Sequence, residues 1–356
     1  MYTVIMAGGR GARFWPKSRE KMPKHLLDIT GKKTIIQETV GRIEPLIPTE
    51  NILIVTGATH SDEVMRQLPQ LPEKNIIIEP FARNTAPCIG LAAMHIKNRD
   101  PEGVMVVLPS DHYIADEDAF RRTLSIAGEM AQRGNRLLTV GIKPTRPETG
   151  YGYMEQGKPA AIIEGEEIFE VKSFREKPDL RQAEDFLQDG GFFWNSGMFV
   201  WKVSAILNEI ERYLPDLYGG LREVEDALGS DGEKDIVYKV YRELTPVSID
   251  YGVMEKARET LLVRGDFGWT DAGSWNALWE MFNKDEDGNA VRGRFIGVDS
   301  SNSFVYSPDK LVALVGVKDI VVVETDDSLL ICGRQSSQDV KKIVEILEEK
   351  NMKEYL

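Results

Sequence analysis

Short apolar runs alternate with helix-spaced stretches through the first part of the chain. The runs fall at residues 3–7, 52–55, 76–78, 104–108 and 137–140, each of strand length. That alternation predicts a parallel α/β sheet. Residues 116–133 carry the clearest helical pattern: Phe120, Leu124, Ala127 and Ala131 recur on one face, Asp116 can cap the start and Gly134 can end it. Open α/β sheets bind ligands beyond the carboxyl ends of their strands, which puts residues 8–13, 79–85 and 109–112 first among candidate site segments.

After Pro147 the pattern shifts to glycine, aromatic and charged clusters at 150–153, 174–178 and 194–199, which read as site-lining loops carried on strands. A helix is predicted over 202–213 through Val203, Ile206, Leu207 and Ile210, and two further clusters occupy 248–252 and 269–275. Trp275, Leu278 and Trp279 read as buried packing rather than ligand contacts. From Arg292 five strand-like runs follow, at 295–298, 304–306, 311–317, 320–324 and 329–331. A helix closes the chain, with Ser336 or Ser337 as cap and Val340, Ile343, Val344 and Leu347 on one face. These elements make a poor core alone, so the tail is expected to pack on the preceding domain, on a second subunit, or on both.

With 356 residues and 42% hydrophobic content, the chain can bury one large core and a smaller one, and two domains are expected. A net charge of −13 opposes nucleic acid and acidic membrane surfaces as partners, so any anion site must be a local pocket. Cys88 and Cys332 are too few for a disulfide framework and fit a reducing cytoplasm. No basic leader precedes the first apolar run, and no run approaches the roughly 18 residues of a membrane span.

Gly8, Gly9 and Gly11 follow the first run directly, where glycines let backbone N–H groups approach a phosphate chain. Arg13 and Lys24 would add charge, Arg13 as a fork and Lys24 as a movable point charge. Arg13 stands where a Walker loop needs glycine, and Phe14 obstructs a dinucleotide fingerprint. Asp111 follows a strand and Asp271 lies in a glycine- and tryptophan-rich turn. Two carboxylates, completed by water and phosphate oxygens, suit Mg²⁺ and a phosphoryl or nucleotidyl transfer. Lys177, restrained before Pro178, could bind the phosphate of a second substrate. His25, His60, His95 and His112 show no zinc spacing, and no Gly-x-Ser-x-Gly nucleophile occurs.

With these stretches in place, the chain resembles the mannose-1-phosphate guanylyltransferases, or GDP-mannose pyrophosphorylases, of the sugar-nucleotidyltransferase superfamily. The likeness rests on Met6-Ala7-Gly8-Gly9-Arg10-Gly11-Ala12-Arg13-Phe14-Trp15-Pro16, Pro23-Lys24, Glu79-Pro80-Phe81-Ala82-Arg83-Asn84-Thr85-Ala86-Pro87 and Leu108-Pro109-Ser110-Asp111-His112. It continues through Gly150-Tyr151-Gly152-Tyr153, Glu176-Lys177-Pro178, Trp194-Asn195-Ser196-Gly197-Met198-Phe199, Ser248-Ile249-Asp250-Tyr251-Gly252-Val253-Met254-Glu255 and Trp269-Thr270-Asp271-Ala272-Gly273-Ser274-Trp275. The first motif marks the superfamily, and the Arg83–Pro87 segment and last two clusters the mannose branch.

The resemblance implies a Rossmann-like nucleotide-diphospho-sugar transferase domain over 1–284. Over 292–356 it implies a small left-handed β-helix-like unit with a closing helix, which supports a homodimer. It implies GTP and mannose 1-phosphate as substrates, Mg²⁺ as cofactor, GDP-mannose and pyrophosphate as products, and in-line attack without a protein base. Arg13, Lys24, Asp111, Lys177 and Asp271 would be catalytic. Gly8, Gly9, Gly11 and Arg13 would hold the nucleotide phosphates. Glu79, Asn84, Thr85, Pro109 and Ser110 would surround guanine and ribose. Gly152, Glu176, Lys177, Asn195 and Asp250 would bind the sugar phosphate, and Asp111 and Asp271 the metal. Lys17 and Cys88 stand where relatives commonly have apolar or small residues. Many bacterial relatives carry a further isomerase domain, and no isomerase activity is expected here. The alternatives are another nucleotide and sugar, such as thymidylyl transfer to glucose 1-phosphate, and a non-catalytic sugar-nucleotide sensor.

Overall fold

All five early apolar runs become strands of one nine-stranded sheet in the computed structural model, which describes residues 1–356. They are β1 (Tyr2–Ala7), β2 (Ile52–Gly57), β3 (Ile76–Glu79), β4 (Val104–Pro109) and β5 (Leu138–Ile142). The sheet adds β6 (Tyr153–Ile163), β7 (Glu166–Arg175), β8 (Phe192–Lys202) and β9 (Leu261–Gly265), in the order β3-β2-β1-β4-β8-β5-β9-β7-β6. The block β3-β2-β1-β4 is parallel, as expected. The whole sheet is mixed, because β8 inserts antiparallel between β4 and β5, and β6 and β7 run antiparallel beyond β9.

Residues 194–199 therefore form the middle of a strand rather than a loop. Phe193, Trp194, Met198, Phe199, Val200 and Trp201 are all buried, so β8 lacks the polar-apolar alternation that marks a strand with one wet face. The helices are α1 (Ile35–Ile43), α2 (Ser61–Gln67), α3 (Thr85–Arg99), α4 (Glu117–Gln132), α5 (Leu180–Asp189), α6 (Val203–Tyr213), α7 (Pro215–Ala227) and α8 (Glu233–Glu243). Asp116 caps α4 as predicted, accepting from Ala119 N at 2.9 Å. Gly134 is not its left-handed stop, since the helix ends on Arg133 in a right-handed conformation.

The chain divides into two compact units built from interleaved segments. One comprises Met1–Gly8, Thr39–Ser110 and Ile114–Trp269, and the other Gly9–Glu38, Asp111–Tyr113 and Thr270–Leu356. In the first, α3, α6, α7 and α8 cover the sheet through Ile89, Ala92, Ile206, Leu221 and Tyr241. In the second, α9 (Trp275–Met281) leads to β10 (Ala290–Val298), β11 (Phe304–Val315), β12 (Ile320–Glu324), β13 (Leu329–Gly333) and α10 (Val340–Glu349). Strands β10, β11 and β12 stack in parallel and β13 returns antiparallel. The predicted runs 304–306 and 311–317 are one strand running parallel to β10, interrupted by a bulge between Ser307 and Leu311 where Ser307 Oγ donates to the Lys310 carbonyl at 3.0 Å.

Ser336 and Ser337 lie in a 3-10 stretch, Arg334–Asp339, and neither caps α10. The tail does not make a core alone. Phe14, Leu27, Ile29 and Ile35 join Trp275, Leu278, Phe304, Tyr306, Val321, Val323 and Val340 in one cluster. Trp275 and Leu278 are fully buried, whereas Trp279 is half-buried beneath the Arg334 guanidinium, 3.5 Å from its ring centre.

Candidate active site

In the second unit the glycine loop is fixed by its contact with Lys24. Gly9 and Gly11 have φ of +91° and +62°, and a Cβ on Gly11 would lie 2.6 Å from Lys24 Cβ, so only glycine fits. A 3-10 turn, Ala12–Phe14, follows and leaves Arg13 exposed. Lys24, 4% exposed, starts a second 3-10 turn after Pro23. Its Nζ donates to Asp111 O at 2.7 Å, Asp111 Oδ2 at 2.9 Å and Asp271 O at 2.6 Å. Three acceptors use all three ammonium protons. Lys24 is thus a buried hub joining the two aspartate segments rather than a movable point charge.

Burial alone would raise the Asp111 carboxyl, but the Lys24 ammonium, with His112 and His25 beyond it, holds it down to about 2. Asp271 Oδ1 accepts from Gly273 N at 3.1 Å, and a Cβ on Gly273 would sit 2.6 Å from Asp271 Oδ2. No group of three His, Cys, Asp or Glu side chains is placed to hold a metal ion. The donor set, one ionised and partly exposed carboxylate joined through a lysine to a second aspartate, fits a hard cation that draws most ligands from water and phosphate.

In the first unit the sugar candidates come together. Gly152 is buried beside Glu176, where a Cβ would lie 2.5 Å from Glu176 Oε2. That oxygen is itself buried and has no hydrogen-bond partner. Glu176 pairs with Lys177 at 3.1 Å. Asn195 Nδ2 donates to Asp250 Oδ1 at 2.8 Å. Burial, with the Glu176 carboxylate adding to it, pushes the Asp250 carboxyl up to about 6, against the Asn195 bond and the Lys177 charge. Two crowded carboxylates and an orphaned acceptor suit a polyhydroxyl ligand.

The base and ribose candidates are more dispersed. Asn84 caps α3 at φ +70°, accepting from Thr85 N at 2.8 Å, and Thr85 Oγ1 accepts from Ile249 N at 2.8 Å. Glu79 faces Tyr241 and Cys88, and burial pushes its carboxyl up to about 7 against the hydrogen bonds from both. Ser110 is 1% exposed, with its amide bonded to Met6 O at 3.2 Å, while Pro109 is half-buried and Gly8 exposed. Sequence reasoning assigned no role to Tyr241, which has no motif around it, or to Glu255, which closes the 248–255 cluster.

Residues 2–288 match the family model described as Nucleotidyl transferase, and residues 293–347 the MannoseP isomerase/GMP-like beta-helix domain. The fold is that of the nucleotidyl transferases with a β-helix-like appendage. The mannose-1-phosphate guanylyltransferase of Escherichia coli K12 is 41% identical over 97% of this chain and 73% of its own length, and that of Klebsiella pneumoniae 40% identical over 99% and 75%. A crystal structure from Thermus thermophilus, named as a mannose-1-phosphate geranyltransferase, superposes with a TM-score of 0.87 at 33% identity, covering 98% of this chain and 99% of that one. The chain belongs to the mannose-1-phosphate guanylyltransferase family.

Proposed function

We propose that the protein transfers GMP from GTP to mannose 1-phosphate, giving GDP-mannose and pyrophosphate. The observation that carries this is the identity of about 40% to mannose-1-phosphate guanylyltransferases across nearly the whole chain. A phosphate oxygen of the sugar attacks the α-phosphorus as the bond to pyrophosphate breaks. Phosphate is already ionised at neutral pH, so the protein supplies position and charge rather than a base.

Each residue set has a proposed role. Gly8, Gly9 and Gly11 present amides to the nucleotide phosphates, and the exposed Arg13 neutralises charge on them. Glu79, Asn84, Thr85, Pro109 and Ser110 lie around the guanine and ribose. Glu176, Asn195 and Asp250 bond the sugar hydroxyls, Gly152 leaves room for them, and Lys177 takes the sugar phosphate. Asp111 and Asp271 would hold Mg²⁺, which when bound neutralises triphosphate charge. Lys24 keeps Asp111 ionised for that task and ties it to Asp271.

We assign the transferase domain to 1–284 and the β-helix-like unit to 292–356. A homodimer through the latter is supported by exposed Ile296, Val298, Leu311, Val315, Leu329 and Ile331 on its strands, 52–71% accessible. No helix is long and apolar enough to cross a membrane, and a cytoplasmic location is proposed. The test is a matrix of four nucleoside triphosphates against several sugar 1-phosphates, read by pyrophosphate release. Activity confined to GTP with mannose 1-phosphate is expected, and turnover of glucose 1-phosphate with thymidine triphosphate alone would overturn the reading.

A further inference from the structure

We infer that Glu255 is a positioning residue for the sugar-phosphate side of the site, acting through the main chain at Glu176. The inference rests on the sugar-binding role proposed for Glu176, Lys177, Asn195 and Asp250. Residues Asp250–Met254 form a single π-helical turn, closed where Glu255 N donates to Asp250 O at 2.9 Å. Such turns are rare and occur frequently at functional sites.

This turn aims two carboxylates. Asp250, at its start, accepts from Asn195 Nδ2 on β8 at 2.8 Å, and Glu255, just past its end, accepts through Oε1 from Glu176 N, just past β7, at 3.0 Å. One short element therefore ties together the two segments that carry the other sugar candidates. Its own base is fixed. Gly252, Val253 and Met254 are buried, and Ile249 N is bonded to Thr85 Oγ1 at 2.8 Å.

The segment that Glu255 holds needs holding. Lys177 has φ +45°, a left-handed conformation that a lysine keeps only where its surroundings impose it, and Pro178 follows directly. Releasing Glu176 N would free the Glu176 carboxylate and the Lys177 ammonium together. Glu255 itself is exposed and its bond is to backbone, so its effect on the sugar passes through Glu176.

Initial rates of the full-length protein, with each substrate varied, test this in Glu255→Ala, Glu255→Asp and Glu255→Gln. The expected result is a KM for mannose 1-phosphate raised about five- to tenfold in Glu255→Ala, the loss of one charge-assisted hydrogen bond. The KM for GTP and the melting temperature should hold, and Glu255→Gln, which keeps an acceptor oxygen, should return within about twofold of the wild type. An unchanged KM for mannose 1-phosphate in Glu255→Ala would overturn the inference, as would both KM values rising together with a fall in melting temperature. If the alanine variant does not fold, Glu255→Asp decides, because its shortened side chain should raise the same KM, and a wild-type value overturns the inference. Wild-type protein that ignores mannose 1-phosphate overturns the proposed function and this inference with it. Normal wild-type turnover with an unaffected alanine variant overturns the inference alone.

Discussion

Lys24 and Asp111 stand 87 residues apart in the chain and meet at 2.9 Å, Nζ to Oδ2, with the same ammonium bonded to the backbone of Asp111 and of Asp271. Three acceptors surround the buried ammonium, and one of them is the carboxylate whose ionisation it secures. The pair thus links the packing of the glycine loop on Lys24 to the charge state of Asp111.

Asp111→Asn should separate chemistry from folding. The drop of the carboxyl from 3.8 to about 2 corresponds to about 2 kcal/mol, and solvent screening of a side chain 37% exposed trims this to about 1 kcal/mol. That contribution is present above pH 4 and fades as pH falls through about 2. At neutral pH the variant should lose about 1 kcal/mol in denaturant titration but at least 100-fold in kcat. Turnover near the wild-type rate would remove Asp111 from the mechanism.

Asp250→Asn should do the opposite to stability. With its carboxyl raised to about 6, native Asp250 keeps a proton that the unfolded chain releases near 3.8, so stability declines as pH rises through that window and stays lower above it. The amide removes this cost, on the order of 1–3 kcal/mol, and keeps an acceptor for Asn195 Nδ2. Thermal melts should show the variant more stable than wild type at pH 7.5 and level with it near pH 4. Its KM for mannose 1-phosphate should rise, because a charged acceptor is lost.

The parallel strands, the glycine loop and the Asp116 cap were legible because each is a local rule: an apolar run, a φ that only glycine tolerates, a side chain bonded within one turn. Strand β8 was not, because burial of both faces erased the alternation that would have marked it. The Asn195–Asp250 bond and the π turn beneath it depend on residues 55 apart in sequence, which no periodicity reports. Lys24 shows the same limit. Its spacing from the glycines marked it as a cation for the site, and only the fold reveals that all three of its protons are committed.

Glu79 should impose a pH dependence on nucleotide use. Its carboxyl, lifted to about 7, takes up a proton as pH falls below that value and then loses the charge it sets beside the base. The kcat/KM for GTP should therefore approach a tenfold fall per pH unit below 7, while the KM for mannose 1-phosphate should rise only further down, as pH falls through about 6 and Asp250 takes up its proton. Glu79→Gln should show low, nearly pH-independent kcat/KM for GTP. A wild-type profile that is level from pH 6 to 8 would remove the Glu79 charge from nucleotide use.

A chain cut at Lys284 tests whether the tail is an appendage or part of a core. The cut removes Ala290, Phe304, Tyr306, Val321, Val323, Leu330 and Val340 from the cluster that holds Phe14, Leu27, Ile29, Ile35, Trp275 and Leu278. It also removes the Tyr355 carbonyl, which accepts from Trp15 Nε1 at 2.9 Å, and Glu348, which pairs with Arg10 of the glycine loop. Two aromatic and four aliphatic side chains left in water forfeit on the order of 10 kcal/mol of burial, comparable to the whole stability of a domain. The shortened chain should bind a hydrophobic dye, aggregate on size-exclusion chromatography and lose GTP turnover. A shortened chain as stable and monodisperse as the full one would show that residues 9–38 and 270–284 close their core without the tail.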